Sequence, residues 1–312
     1  MHARAKFRHS YLSLDDNAAA NAAAAYNQAG DDYLAYADGD SKTLYSFDSS
    51  YAYGDRLVWG LLDRKLTERR SSGARSISIV DAGCGPGTWL RRLVARAHAL
   101  GFNSITAHGF DIADAQIRRA RLLSRDLSTL PGVELTFEVG DLLGQLPEAD
   151  VSVDLCLCLY GVLNHLPVAS LPAIFTEFAR ITAGHFVSTV RSAGSTPTIF
   201  VDSLEKARGF KQDHSRDRCE VELHDGRHVA FSCHLFTATE MRRLIAEHFE
   251  IEDFRGLDLF HSRFALDPRW NPPSLSINRQ LPEELARLEE TYSADPNFMD
   301  HAAHLLLIAR GR

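Results

Sequence analysis

In the segment Ser76-Ile77-Ser78-Ile79-Val80-Asp81-Ala82-Gly83-Cys84-Gly85-Pro86-Gly87-Thr88-Trp89-Leu90, a β-rich run meets an acidic residue and then three alternate glycines. Glycines at that spacing let the backbone turn sharply and approach a ligand with no Cβ in the way. The N–H groups of a helix starting just beyond them favour polar or anionic ligand atoms. Pro86 removes one N–H from the loop. The spacing is G-x-G-x-G, and against the dinucleotide fingerprint G-x-G-x-x-G the last required glycine falls on Thr88, so the match to a pyrophosphate site is poor. The phosphate loop G-x-x-x-x-G-K-[ST] is absent, which argues against a nucleoside triphosphate.

Three acids, Asp81, Asp111 and Asp141, fall at the ends of β-rich runs. In an open parallel sheet, ligands bind beyond the carboxyl ends of the strands, near the point where strand order reverses. A carboxylate accepts from vicinal hydroxyls or an amine but repels phosphate, so three acids around one glycine loop suit a nucleoside without a phosphate chain. Taken singly, each acid fits a helix N-cap or a turn equally well. Their joint placement favours the ligand.

At these residues the chain resembles the class I S-adenosylmethionine-dependent methyltransferases of small-molecule type, whose first motif reads acidic-x-G-x-G-x-G. Asp81, Gly83, Gly85 and Gly87 fit it. The resemblance implies that Asp111, closing Ala107-His108-Gly109-Phe110-Asp111, holds the ribose hydroxyls. It also implies that Asp141 accepts from the adenine amino group, with the backbone N–H of Leu142 on the ring. Further cofactor contacts implied by the motifs fall on Cys84, Thr88, Trp89, Ile112, Leu159 and Tyr160. The reaction-proximal loop after the fourth strand is Gly161-Val162-Leu163-Asn164-His165-Leu166. Early tyrosines, from Tyr26-Asn27-Gln28 to Tyr33-Leu34-Ala35-Tyr36, resemble the N-terminal lid of such enzymes, and Tyr26 and Tyr33 are its donor-facing candidates. A phenol offers a flat apolar face with a polar tip, and its ring attracts a sulfonium.

The elements that must position these residues alternate β and α, predicting a doubly wound, Rossmann-like α/β fold. The resemblance implies a seven-stranded sheet with an antiparallel last strand, His304 to Arg310, and an N-terminal helical lid, and the segment after the fifth strand reads as an inserted cap. The expected segments are 1–62 (lid), 63–191 (cofactor-binding core), 192–236 (cap with a hairpin) and 237–312 (rest of the core, with an insertion before the last strand). In the hairpin, apolar residues alternate on both sides of Asp225-Gly226. An odd-length loop keeps them on one face and would pair Val221 with Phe231, Cys219 with Cys233 and His224 with His228. Opposite-face geometry leaves no shared metal site there, and no metal is expected. Asn271-Pro272-Pro273-Ser274 mimics a nucleic-acid amino-methyltransferase motif, but it lies far downstream of the fourth strand and ends in serine.

With 312 residues, 45% of them hydrophobic, the chain can bury a substantial core. A net charge of -7 disfavours general attraction to nucleic acid, and the basic runs around Arg69 and Arg119 read as solvated helix faces. Five cysteines without a C-x-x-C pair fit a reducing cytoplasm, and Ala18 to Ala25 is too short and too weakly apolar for a membrane span. Methyl transfer is an in-line displacement that depends on alignment in a dry pocket. Its candidate base is His165, with Asn164 to orient the acceptor and Tyr160 a weaker candidate. The expected activity is methyl transfer from S-adenosylmethionine to an oxygen or nitrogen of a small molecule, by a protein compatible with a homodimer. The alternatives are an RNA methyltransferase and a non-catalytic S-adenosylmethionine-binding protein.

Overall fold

The computed structural model describes residues 20–27, 44–47, 52–195, 207–264 and 280–312. Tyr33, Tyr36 and the Asn271-to-Ser274 segment lie outside them. Among the described residues, ten strands form two sheets. The larger contains β1 (Ser76–Ala82), β2 (Ser104–Asp111), β3 (Val133–Val139), β4 (Val153–Cys158), β5 (Thr182–Arg191), β9 (Phe249–Leu257) and β10 (His304–Gly311). Its order is β3-β2-β1-β4-β5-β10-β9. Pairing is parallel from β3 to β5, and β10 runs antiparallel to both β5 and β9, so the seven-stranded sheet with its antiparallel last strand is as expected. Strand order reverses between β1 and β4, which makes the carboxyl ends of these two strands the place for a ligand.

Both faces of this sheet are covered, as a parallel sheet requires. Alternate residues of β1 serve opposite sides: Val80 and Ala82 join the layer under the helices Leu171–Ile181 and Ala238–Ala246, while Ile77 and Ile79 join the layer under Ala52–Ser71 and Thr88–Ala99. In the first layer the rings of Phe178 and Phe249 lie 4.9 Å and 5.2 Å from that of Phe186. In the second, Val58, Leu62 and Leu66 recur every four residues along one helix and are fully buried. That helix runs unbroken through position 62, where the sequence reading places the end of the lid.

The smaller sheet, β6 (Ala207–Asp213), β7 (Arg218–Leu223) and β8 (His228–Ser232), is the inserted cap. Its hairpin closes through an odd-length loop, but Val221 pairs with Val229 and Cys219 with Phe231, a slip of two residues from the expected register. A two-residue slip keeps every side chain on its own face, so burial does not distinguish the two pairings. The turn does: Asp225 Oδ1 accepts from the N–H of Arg227 at 3.0 Å, which fixes the wider loop. Cys219 therefore does not face Cys233, and His228 pairs with Glu222 instead of His224. Among the described residues no group of three or more His, Cys, Asp or Glu is placed to hold a metal. No described helix is long and apolar enough to cross a membrane.

Candidate functional site

The turn after β1 needs its glycines. Gly83, Gly85 and Gly87 have φ of 73°, 53° and 77°, a region costly for residues with a Cβ. A Cβ on Gly83 would stand 2.4 Å from Val162 Cγ2, and one on Gly87 would stand 2.8 Å from the Phe137 ring. The loop is pinned to the end of β2 when the N–H groups of Gly83 and Cys84 donate to the carbonyl of Phe110 at 2.8 and 2.9 Å.

Asp111 completes that junction. Its Oδ2 accepts from the N–H of Gly85 and its Oδ1 from the N–H of Ala113, both at 2.9 Å. One carboxylate is thereby fixed by the two loops that border the cleft, and each oxygen keeps a lone pair for a ligand donor. Asp81 has another role. It is 3% exposed, its carboxylate accepts from the N–H of Leu90, and burial followed by the charge of Asp111 pushes its pKa up to about 7. It sits beneath the loop as an anchor for the helix Thr88–Ala99.

On the other side of the cleft, Tyr160 and Gly161 both adopt left-handed backbone, with φ of 56° and 85°. For tyrosine that costs roughly 1–2 kcal/mol, and it is held by several contacts. Its N–H donates to Thr189 Oγ1 at 2.6 Å, its ring stacks 5.7 Å from that of Trp89, and its hydroxyl donates to the buried carboxylate of Asp55. The turn Val162–His165 follows. His165 Nδ1 lies 2.8 Å from the carbonyl of Ser232 in the cap, so Nδ1 carries the proton and Nε2 accepts from the hydroxyl of Tyr26 at 2.9 Å. Burial, with the charge of Arg191, pushes His165 down to about 4, against a weaker upward pull from the Ser232 carbonyl.

The helix of residues 20–27 brings Tyr26 there. Asn27 Oδ1 accepts from the N–H of Ala115 at 2.9 Å, capping a helix, Asp114–Leu123, that has no side-chain cap of its own. Gln116 Nε2 donates to the carbonyl of Tyr26 at 3.4 Å. The lid segment and the cap thus meet at His165.

Of the residues expected to bind a ligand, Tyr26, Gly83, Gly85, Asp111 and Ile112 line one cleft together with Asp141, Leu142, Leu159, Tyr160 and His165. Asp81, Cys84, Gly87, Thr88 and Trp89 do not line it: Asp81 lies beneath the loop, Cys84 and Gly87 belong to it, and Thr88 and Trp89 begin the helix behind it. Asn164 is fully buried: its Nδ2 donates to the carbonyls of Arg191 and His234, and its Oδ1 accepts from the N–H of Arg191. It is a structural bracket, which does not match the expected orienting role. The cleft is completed by Val162 and Leu166, which the sequence reading placed in the reaction-proximal loop without a role of their own, and by Ala22, Phe110, Gln116 and Gly140, which it did not assign to the site. Phe110, Gly140, Val162 and Leu166 adjoin motif residues, whereas Ala22 and Gln116 carry no local signal because lid docking brings them in.

Residues 79–185 match the methyltransferase domain family. No curated protein matches the chain in sequence. Among solved structures, the chain is similar to magnesium protoporphyrin IX methyltransferase from Synechocystis PCC 6803 with bound S-adenosylhomocysteine: TM-score 0.54 at 16% identity, covering 95% of this chain and 100% of the other. A protein from Pyrococcus horikoshii OT3 aligns with a TM-score of 0.52 at 15% identity, covering 90% of this chain and 99% of that one.

Two outcomes follow for the loop. With its folded pKa above the unfolded value of about 3.9, Asp81 binds its extra proton in the folded state, and its contribution to stability falls as pH rises from about 4 to about 7. Asp81→Asn keeps an acceptor for Leu90 and removes that fall. In urea unfolding, the variant should gain on the wild type between about pH 4 and about pH 8; a constant difference would exclude the assignment. Gly83→Ala should lower the melting temperature, and adding Val162→Ala should restore part of the loss, the remainder being backbone strain at positive φ.

Proposed function

From the premise that this chain carries a class I S-adenosylmethionine-dependent methyltransferase domain, we propose that it transfers the methyl group to an oxygen or nitrogen of a small molecule. The observation that carries the reading is the Asp111 carboxylate, fixed by two backbone N–H groups at the end of β2 and bordering the cleft beside the strand-order reversal. Its open lone pairs fit vicinal ribose hydroxyls. Asp141 and Leu142 border the same cleft at the end of β3, where a base amine and ring nitrogen would find a carboxylate and a backbone N–H. S-adenosylmethionine supplies an electrophilic methyl group on a positively charged sulfur.

The chain's own contribution is alignment and exclusion of water. Leu159, Val162 and Leu166 give the cleft apolar walls after β4, and the Tyr160 ring, held by Asp55 and Trp89, gives an electron-rich surface suited to a sulfonium. Tyr26 and His165 close the cleft from the lid and the loop. With its pKa pushed down to about 4, His165 is a weak base, and its bonds to Ser232 and Tyr26 make it a brace that sets the position of the phenol. The apolar walls of the cleft and the net charge of -7 support a small acceptor over RNA.

Turnover should appear as S-adenosylhomocysteine formed with the low-mass fraction of a cell extract; formation with purified RNA alone would contradict the reading. Tyr26→Phe and His165→Ala should each lower kcat by roughly 10- to 100-fold, because misplacement by about 1 Å is worth that much. The double variant should lose little more than either single one, because the two side chains act as one unit.

A further inference from the structure

Asp55 lies in the first turn of the helix Ala52–Ser71, outside the residues that match the methyltransferase domain, and it is 6% exposed. Val58, Leu62 and Leu66 bury the same helix against the sheet, and a Cβ on Gly54 would stand 3.3 Å from Leu257 Cγ, so the first turn lies close on β9. The acid therefore has a fixed place, and what it meets there is a residue of the cleft. Tyr160, which lines the cleft at the end of β4, donates its hydroxyl to Asp55 Oδ1. The tyrosine ring is held on its other sides as well. Trp89 stacks on it at 5.7 Å and 23°, the imidazole of His304 meets it at 5.6 Å and 81°, and the backbone N–H of Tyr160 is tied to Thr189. Burial, with the charge of Arg191, pushes His304 down to about 3, so the imidazole beside the tyrosine is neutral.

We propose that Asp55 is a positioning residue that acts through Tyr160 to favour the positively charged methyl donor over its neutral product. This rests on the methyl-transfer reading above, in which the Tyr160 ring is the surface for the sulfonium. A phenol that donates to a carboxylate takes on part of the character of a phenolate, because a hydrogen bond to an ion polarises its donor strongly. The added electron density spreads into the ring and deepens the negative potential of its face, which is the part that attracts a cation. In the transfer, the electron pair of the broken C–S bond stays on sulfur, so S-adenosylmethionine carries a positive charge there and S-adenosylhomocysteine carries none. Ribose and base are the same in the two ligands, and Asp111, Asp141 and Leu142 hold them alike. The charge on sulfur is what the ring distinguishes, and Asp55 sets how strongly it does so. The bias serves turnover, because the ligand that must leave is the one the ring attracts less.

Calorimetric titration of the full-length protein with S-adenosylmethionine and with S-adenosylhomocysteine, no acceptor present, tests this. Asp55→Asn keeps an oxygen to accept from the phenol and removes the charge. Tyr160→Phe keeps the ring and removes the hydroxyl that links it to the acid. Each variant should weaken S-adenosylmethionine by about threefold or more while S-adenosylhomocysteine keeps its wild-type affinity. Weakening of both ligands by the same factor, the mark of a merely structural contact, or no change for either, would overturn the proposal and leave methyl transfer standing. No binding of S-adenosylhomocysteine by the wild type would overturn the cofactor reading and the proposal with it.

Discussion

The architecture of the cleft depends on one carboxylate shared between two loops. Asp111 closes β2, yet its oxygens are held by Gly85 from the loop after β1 and by Ala113 from the start of the next helix. That bridge works only because the β1 loop comes close enough to present an N–H, which in turn requires the left-handed backbone of Gly83, Gly85 and Gly87. The close approach leaves no room for side chains, as the contact of Val162 with Gly83 shows. Asp81 is held beneath, at the energetic cost of a buried carboxylate. At the ends of β1 and β2 the cleft is therefore bordered by backbone and one oriented acid, set by the strand ends.

A second bracket couples the turn Val162–His165 to the end of β5, the cap segment and the helix of residues 20–27. Asn164 holds the end of β5 at Arg191 and the exit of the cap at His234, whose own N–H returns to the carbonyl of Asn164 at 2.7 Å. The next residue, His165, touches the cap through Ser232 and the lid through Tyr26. Lid, cap and loop meet at one side chain that the sheet positions. A buried amide with all its bonds made fixes geometry more firmly than a residue on a free loop.

Much of this was legible in the sequence where chemistry is local. Alternate glycines, an acid at each strand end and alternating β and α signals were enough for the doubly wound fold and for placing Asp111, Asp141 and Tyr160 after their strands, and the family resemblance supplied the antiparallel β10. What the sequence hid depends on long-range contact. Asp81 and Asp111 look alike as strand-end acids, and only burial separates the anchor beneath the loop from the acid that lines the cleft. Asn164 reads as a polar residue beside a candidate base, but its three side-chain hydrogen bonds reach Arg191 and His234, 27 and 70 residues away. The cap register slipped by two because parity is set by the apolar face, whereas the choice within that parity rests on one Asp225 turn bond. Asp55, paired with Tyr160 across 105 residues, carries no sequence signal at all.

The central claim is a nucleoside site built on Asp111, and calorimetric titration of S-adenosylhomocysteine into the wild type and Asp111→Ala tests it most directly. One site of micromolar affinity is expected, weakened by about a hundredfold or more in the variant, as when charge-assisted bonds to two hydroxyls are lost. Equal affinity in the two proteins, or no binding by the wild type, would contradict it.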